Sequence, residues 1–265
     1  MRYRGHGRTD RGLVRPHNED CILVEPAHGV FAVADGMGGH AAGEVASTRA
    51  IEAIREALCA DRPADLPPPE LLRRAVEHSN LGIARAIEAH PEYRGMGTTL
   101  VVALLDGDSC WIAHVGDSRA YLVRDGRIDQ LTTDHSFVNE LVRLGMLSRE
   151  QAARDPRRNV VTRALGSSQV VVPDIVEVPL RPGDVLLLCS DGLNTMVEDG
   201  EILALVRAAG GDPEAATRKL VEAANAAGGE DNISVIVVAC QGDGDPEAAR
   251  RTAPNAAIDP GSAPG

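Results

Sequence analysis

At 265 residues the chain suits one large domain or two small ones, and its 43% hydrophobic content excludes a disordered chain. Lys and Arg total 27 against 39 Asp and Glu, a net charge of −12 that excludes the basic face a general nucleic-acid binder needs. Aromatic residues are only 2%, so aliphatic side chains must fill the core and no base-stacking surface is expected.

Taken in chain order, short apolar runs predict strands at Cys21–Val24, Val30–Ala34, Thr99–Leu105, Cys110–Val115, Ala120–Val123, Val185–Cys189 and Ile233–Ala239. Asp106-Gly107-Asp108 and Asp125-Gly126 are tight hairpin signals. Glu44–Leu58 and Glu70–Ala89 carry apolar residues at three- and four-residue spacing and predict two helices, the second started by Pro67-Pro68-Pro69. Segment 136–165, rich in charge and holding Pro156, reads as a flap-like excursion over a strand scaffold. Helical pattern returns over Glu201–Ala226, broken at Gly210-Gly211. Residues 242–265 read as a disordered tail of Gly, Asp, Ala, Arg, Pro and Ser. Adjacent hairpins with paired helices suggest antiparallel sheets covered by helices.

Five cysteines are scattered without any Cys-x-x-Cys pair and read as buried, reduced thiols of a cytoplasmic protein. No signal peptide or apolar run of spanning length is present, so no membrane anchor is expected.

Four aspartates share one local setting. Asp35 follows Phe31–Ala34 and precedes Gly36; Asp117 follows Trp111–Val115 and Gly116; Asp191 follows Leu186–Ser190; Asp231 precedes Asn232 and the last strand. Each puts a carboxylate at a strand rim, where ligands from distant sequence converge on a rigid frame. A carboxylate there is commonly only a turn former. Four of them, with Glu19-Asp20 before another strand, repel unless a cation compensates, and all-oxygen ligands select Mg²⁺, Mn²⁺ or Ca²⁺. Gly36-Met37-Gly38-Gly39 lacks the Lys and Ser/Thr of a P-loop, and Gly-Asp-Ser-Arg at 116–119 lacks the frame of a nucleophilic serine. His114, inside an apolar strand, reads as a hydrogen-bonded core residue. His40, beside the glycine turn after Asp35, is the histidine placed for chemistry.

Seven blocks in order resemble the bacterial members of the type-2C, metal-dependent protein phosphatase (PPM) family. They are Thr9–Asp20, Ala34–His40, Gly95–Thr99, Val115–Arg119, Thr162–Gly166, Ser190–Leu193 and Glu230–Val235. The resemblance implies an α+β, four-layer α-β-β-α sandwich over residues 1–241: two antiparallel sheets, a helix pair on each outer face, and metals in a cleft at one end.

It also implies roles. Asp35 bridges two core ions, Mn²⁺ or Mg²⁺; the Gly36 carbonyl holds one and Asp191 and Asp231 complete the other. Glu19 acts through a metal-bound water, and Asp20 supports it. Arg15, one of five arginines in the first fifteen residues, binds the substrate phosphate. Asp117 shares a third ion with Asp191. Animal members place a histidine directly after the Asp-Gly pair, where this chain has Met37, so His40 is the bacterial-type candidate for the general acid.

The expected activity is hydrolysis of phosphoserine and phosphothreonine in proteins. Metal binding lowers the pKa of water from 15.7 to about 7, so a metal-bridged hydroxide serves as nucleophile and no phosphoenzyme is needed. Phosphoproteins, serine/threonine kinases and kinase substrates are the expected partners, with a monomeric enzyme opposing the kinases. A phosphoprotein-binding protein without turnover, or an enzyme for other phosphoesters, remains open at this point, because the site chemistry alone does not identify the alcohol.

Overall fold

A computed structural model describes residues 1–38, 42–60, 62–63, 65–167 and 170–242. The chain runs β1 (Arg2–Asp10), β2 (Asp20–Glu25), β3 (Val30–Met37), α1 (Ala42–Arg55), α2 (Pro68–Ala89), β4 (Gly97–Thr98), β5 (Leu100–Asp106), β6 (Ser109–Val115), β7 (Arg119–Arg124) and β8 (Arg127–Gln130). It continues through α3 (Phe137–Arg143), α4 (Arg149–Arg154), β9 (Asp174–Pro179), β10 (Val185–Cys189), α5 (Asp191–Asn194), α6 (Asp199–Ala208), α7 (Pro213–Ala226) and β11 (Ile233–Gln241). Two antiparallel sheets form, in the orders β1-β11-β10-β7-β8 and β2-β3-β5-β6-β9, with β4 paired to β3.

Burial on both faces explains why the strands read as apolar runs rather than as alternating patterns. Phe31 and Val33 of β3, Val101 and Ala103 of β5, and Ile236 and Val238 of β11 meet between the sheets. Their neighbours Ala32 and Ala34, with Leu100, Val102 and Leu104, pack on α1 and α2. Val235 and Val237 pack on α6 and α7. Three apolar layers therefore separate helices, sheet, sheet and helices, which is the expected α-β-β-α sandwich.

The local signals act as read. Pro68 opens α2 behind Pro67, where its missing N–H costs nothing. Gly107 turns β5 into β6 at φ 59°, and Asp125 (φ 51°) and Gly126 (φ 74°) turn β7 into β8. Glu56–Ala60 widens the end of α1 into a π turn. The 136–165 excursion is two short helices fastened at its base, where Phe137 N–H reaches the Val160 carbonyl at 2.8 Å and Thr162 N–H reaches the His135 carbonyl at 2.8 Å.

Several expectations are corrected. β1, β4, β8 and β9 were not expected. β1 carries two glycines because apolar side chains lie across it: a Cβ on Gly5 would meet the Phe31 ring at 2.3 Å, and one on Gly7 would meet Val24 at 2.7 Å. β3 does not end at Ala34, because Gly36 and Met37 pair with Thr98 and Gly97 of β4 and hold Asp35 inside the strand. Cys110, Cys189 and Cys240 are buried thiols, whereas Cys21 and Cys59 are only half-buried, at the edges of the α1 layer. The 243–265 part of the expected tail lies outside the described residues.

Candidate metal centre and active site

The two sheets deliver carboxylates to one end of the sandwich. From one sheet come Asp20 and Asp35, opposite each other in the β2–β3 ladder. From the other come Asp191, two residues past β10, and Asp231, two residues before β11. Asp117 sits in the turn where the chain passes between the sheets, from β6 to β7.

Hydroxyls and amides fix the backbone around them. Asp35 N–H donates to Thr99 Oγ1 at 3.0 Å, while Thr98 Oγ1 donates to the Asp35 carbonyl at 2.8 Å. Thr99 Oγ1 also meets Ser118 Oγ at 2.7 Å, linking the Asp35 strand to the Asp117 turn. Ser190 Oγ donates to Asp20 Oδ2 at 2.8 Å. Gly36 must be glycine, because a Cβ there would lie 2.1 Å from the Gly43 carbonyl oxygen.

The loop between β1 and β2 carries Arg15 and Glu19, and Asn232 positions it. Asn232 Oδ1 accepts from Glu19 N–H at 2.8 Å, and its Nδ2 donates to the Arg11 and His17 carbonyls, each at 2.9 Å. Arg15 Nη2 donates to Asp231 Oδ2 at 2.7 Å with its side chain half exposed, so a guanidinium faces the carboxylate group from the solvent side.

These carboxylates are poorly compensated by protein. Burial raises the Asp35 carboxyl well above its usual range, reinforced by Asp20, Asp191, Asp117 and Asp231. Burial likewise pushes Asp20 and Asp117 up to about 7, and Asp191 to about 6, each with neighbouring aspartates adding to the rise. Glu19 is also raised by burial, against the pull of Arg15. The Asp35 and Asp191 carboxyls lie close enough to act on each other's protonation, and both are held above the usual carboxylate range. Buried Asp20 Oδ1 and Asp191 Oδ1 have no hydrogen-bond partner among the described residues. Oxygen donors left in this condition fit hard divalent cations, which would replace the protons.

Two histidines lie behind the Asp117 turn. His135 grips Gly116 at both backbone groups: its N–H donates to the Gly116 carbonyl at 2.8 Å, and its Nδ1 accepts the Gly116 N–H at 3.0 Å. Gly116 adopts φ 110° and packs on Thr99, so it is fixed from both sides. His135 Nε2 faces Asp174 Oδ2 at 3.3 Å, and Arg163 Nη1 holds the other Asp174 oxygen at 2.8 Å. His114 stacks on His135 with ring centroids 4.2 Å apart. His114 is buried as expected, but its Nε2 has no hydrogen-bond partner among the described residues. Ligand atoms of His114, His135 and Asp174 lie within 4.8 Å of one another. A metal there conflicts with the Gly116 bond: a neutral His135 that accepts at Nδ1 keeps its proton on Nε2, the atom that would have to ligate. Ligating histidines instead donate through the second nitrogen.

Arg15, Glu19, Asp20, Asp35, Gly36, Asp117, Asp191 and Asp231 thus gather at one end of the fold; His40 lies outside the described residues. Asn232, Ser190, Thr98, Thr99, Ser118 and His135 were not singled out from sequence. All but His135 stand inside the quoted motif blocks, and their side chains bond residues distant in sequence.

A family model for protein phosphatase 2C matches residues 1–233. The serine/threonine phosphatase stp of Listeria welshimeri is 42% identical over 237 residues, 87% of this chain and 93% of that protein. The serine/threonine protein phosphatase PstP of Mycobacterium tuberculosis is 43% identical over 235 residues, 87% of this chain and 43% of that longer protein. The crystal structure of that tuberculosis phosphatase is 40% identical and covers 91% of this chain and 100% of its own, with a TM-score of 0.84. The structure of the PstP catalytic domain with two manganese ions, also 40% identical, covers 91% of this chain and 99% of its own, with a TM-score of 0.81. With motifs, sandwich and relatives in agreement, the chain belongs to the protein phosphatase 2C family, as a serine/threonine protein phosphatase of the bacterial type.

Proposed function

We propose that Asp35, the Gly36 carbonyl, Asp191 and Asp231 hold two Mn²⁺ or Mg²⁺ ions, and that Asp117 and Asp191 hold a third. The observation that carries this reading is the set of raised, clustered aspartates with unpartnered buried oxygens at Asp20 and Asp191. When bound, the ions supply Lewis-acid charge and lower the pKa of water, so attack on phosphorus requires no protein nucleophile.

The chain's own residues do the rest. Arg15 anchors the phosphoryl oxygens, a role suited to its planar fork and its half-exposed position opposite Asp231. Glu19, held by Asn232, and Asp20, held by Ser190, orient and accept protons from water at the centre. His40, five residues after Asp35 in sequence, protonates the departing serine or threonine oxygen. Phosphoproteins are the substrates of the family's serine/threonine phosphatases; serine/threonine kinases and their targets are the partners proposed here. A cytoplasmic monomer is the form proposed here; among the described residues no helix is long and apolar enough to cross a membrane.

The test is hydrolysis of matched phosphoserine, phosphothreonine and phosphotyrosine peptides in Mn²⁺, Mg²⁺, Ca²⁺ and chelator. Turnover of the first two in Mn²⁺ or Mg²⁺, abolished by chelator, is expected. Arg15→Ala should lower kcat/KM by roughly 10–100-fold, the worth of a charged hydrogen bond of about 1.5–3 kcal/mol. An unchanged kcat/KM in that variant returns Arg15 to the solvent.

A further inference from the structure

The excursion differs in charge from the body it covers. Across residues 136–165 stand Arg143, Arg149, Arg154, Arg157, Arg158 and Arg163 against only Glu140, Glu150 and Asp155, in a chain whose net charge is −12. Beneath it lies a cavity of about 630 Å³, roofed by α3, α4 and the segment after them, and floored by β7, β8 and α5. That volume falls in the usual range of about 300–1,000 Å³ for ligand sites. Asp117 and Asp191 line one end, so the cavity opens onto the metal centre.

The lining carries Asp117, Asp134, Asp191 and Glu198 on the side of the floor and Arg149 and Arg158 on the roof, and several of its charges are already used. Arg119 on the floor is spent on Asp134, through Nε and Nη2 at 2.7–3.1 Å. Arg157 is paired with Asp155 and Arg163 with Asp174. Arg149 and Arg158 differ. Both line the cavity, and neither guanidinium has a hydrogen-bond or acidic partner among the described residues. Two unspent forked donors thus face a hollow that begins at the phosphoester site. An acidic body repels acidic substrates, so a basic roof is what admits a second anionic group.

We propose that this cavity is a second anion subsite, in which Arg149 and Arg158 take a phosphoryl or carboxylate group next to the phosphoserine or phosphothreonine being cleaved. The preferred substrate class is then a doubly phosphorylated or acidic segment of a phosphoprotein. The subsite rests on the reading of the metal centre as the phosphoester site. It binds substrate only and performs no chemistry.

The test uses one peptide sequence in three forms: a single phosphothreonine, the same with a second phosphothreonine one to four residues away, and the same with glutamate in place of the second phosphothreonine. Initial rates and KM are measured on the Mn²⁺-loaded protein, its Arg149→Ala and Arg158→Ala variants, and the double variant. The doubly phosphorylated peptide should be favoured over the single one by roughly tenfold at the best spacing, about one charge-assisted hydrogen bond, mainly through KM. That ratio should fall toward one in the double variant and shrink with added salt in the wild type. A similar gain from glutamate identifies the ligand as any anion; a gain from phosphate alone identifies a second phosphoryl group. No preference at any spacing, or a preference that survives in the double variant, overturns the subsite. Failure to hydrolyse even the singly phosphorylated peptide would instead break the reading of the metal centre, so the two failures are distinct. Both arginines are exposed and Arg149 begins a helix, where alanine is well tolerated, so folding is not at stake.

Discussion

The carboxylate end of the sandwich and the excursion above it are held by different forces. Asp20 and Asp35 are opposed in a ladder, Gly36 has no room for a Cβ, and Thr98, Thr99, Ser190 and Asn232 bond the acidic residues or their backbone. In the excursion, Ser136 caps α3, and Ser148 and Gln151 cap α4 reciprocally. Leu144 and Met146 are each 67% exposed, and Arg157 lies 4.8 Å over the Phe137 ring. The first region is fixed by long-range contacts that also build the core; the second is fixed by local ones. Chemistry is therefore tied to the fold, whereas the roof is free to differ without unfolding it.

The hardest way to break that contrast is at Asp35. Asp35→Asn should cut turnover by more than the roughly 100-fold typical of losing an outer-shell partner, while the protein stays folded. Its metal-free form should also behave differently with pH. Asp20 and Asp117 titrate near about 7 and Asp191 near about 6 in the folded protein, above the unfolded value of about 3.9. The folded state then binds more protons, so this contribution is fully present below about pH 4 and is lost as pH rises through 6 and 7. In chelator the melting temperature should fall between about pH 5 and 8, less steeply in Asp35→Asn, and saturating Mn²⁺ should flatten it by replacing the protons. A wild-type melting curve indifferent to both pH and Mn²⁺ would remove the uncompensated cluster.

A smaller effect tests the join between the regions. His135→Gln loses the acceptor for Gly116 N–H, whereas His135→Asn keeps an oxygen near the Nδ1 position. If His135 positions the Asp117 turn, the glutamine variant should weaken binding of the weakest Mn²⁺ ion by about 10–100-fold, with partial rescue by asparagine. Calorimetric titration reads this; equal losses in both variants would make His135 a packing residue only. The smallest effect is expected at Ser148→Ala, which removes half of a capping box at a cost of about 1 kcal/mol. Hydrogen exchange should quicken in 148–155 while the strands keep their protection, and a global loss of protection would show that the roof is not independent.

Much of this was legible in sequence where local chemistry decides structure. Pro68, Gly107, Asp125-Gly126 and Gly210-Gly211 marked their turns, and doubly buried strands announced themselves as apolar runs. β1 was not legible, because its glycines answer to side chains met only after folding, Gly5 to Phe31 and Gly7 to Ile22 and Val24. β4 escaped notice because two residues define it, and they matter by extending β3 past Asp35. The acidic members of the centre could be proposed from strand-end aspartates in motif order. Asn232 could not: its three bonds reach 213 to 221 residues back, and no local pattern carries that distance.

That distance has a consequence during synthesis. β1 pairs with β11 along its whole length, Arg2 opposite Gln241 and Asp10 opposite Ile233. The loop bearing Arg15 is seated by Asn232, just before β11. A ribosome adding about 5–20 residues per second needs roughly ten to forty-five seconds to travel from that loop to β11. Through that interval the nascent chain holds Asp20 and Asp35 but not the sheet that brings Asp191 and Asp231 to them. A chain that has not yet reached β11 therefore lacks both the seat of the Arg15 loop and the Asp231 carboxylate, and it gains the two together when that strand closes.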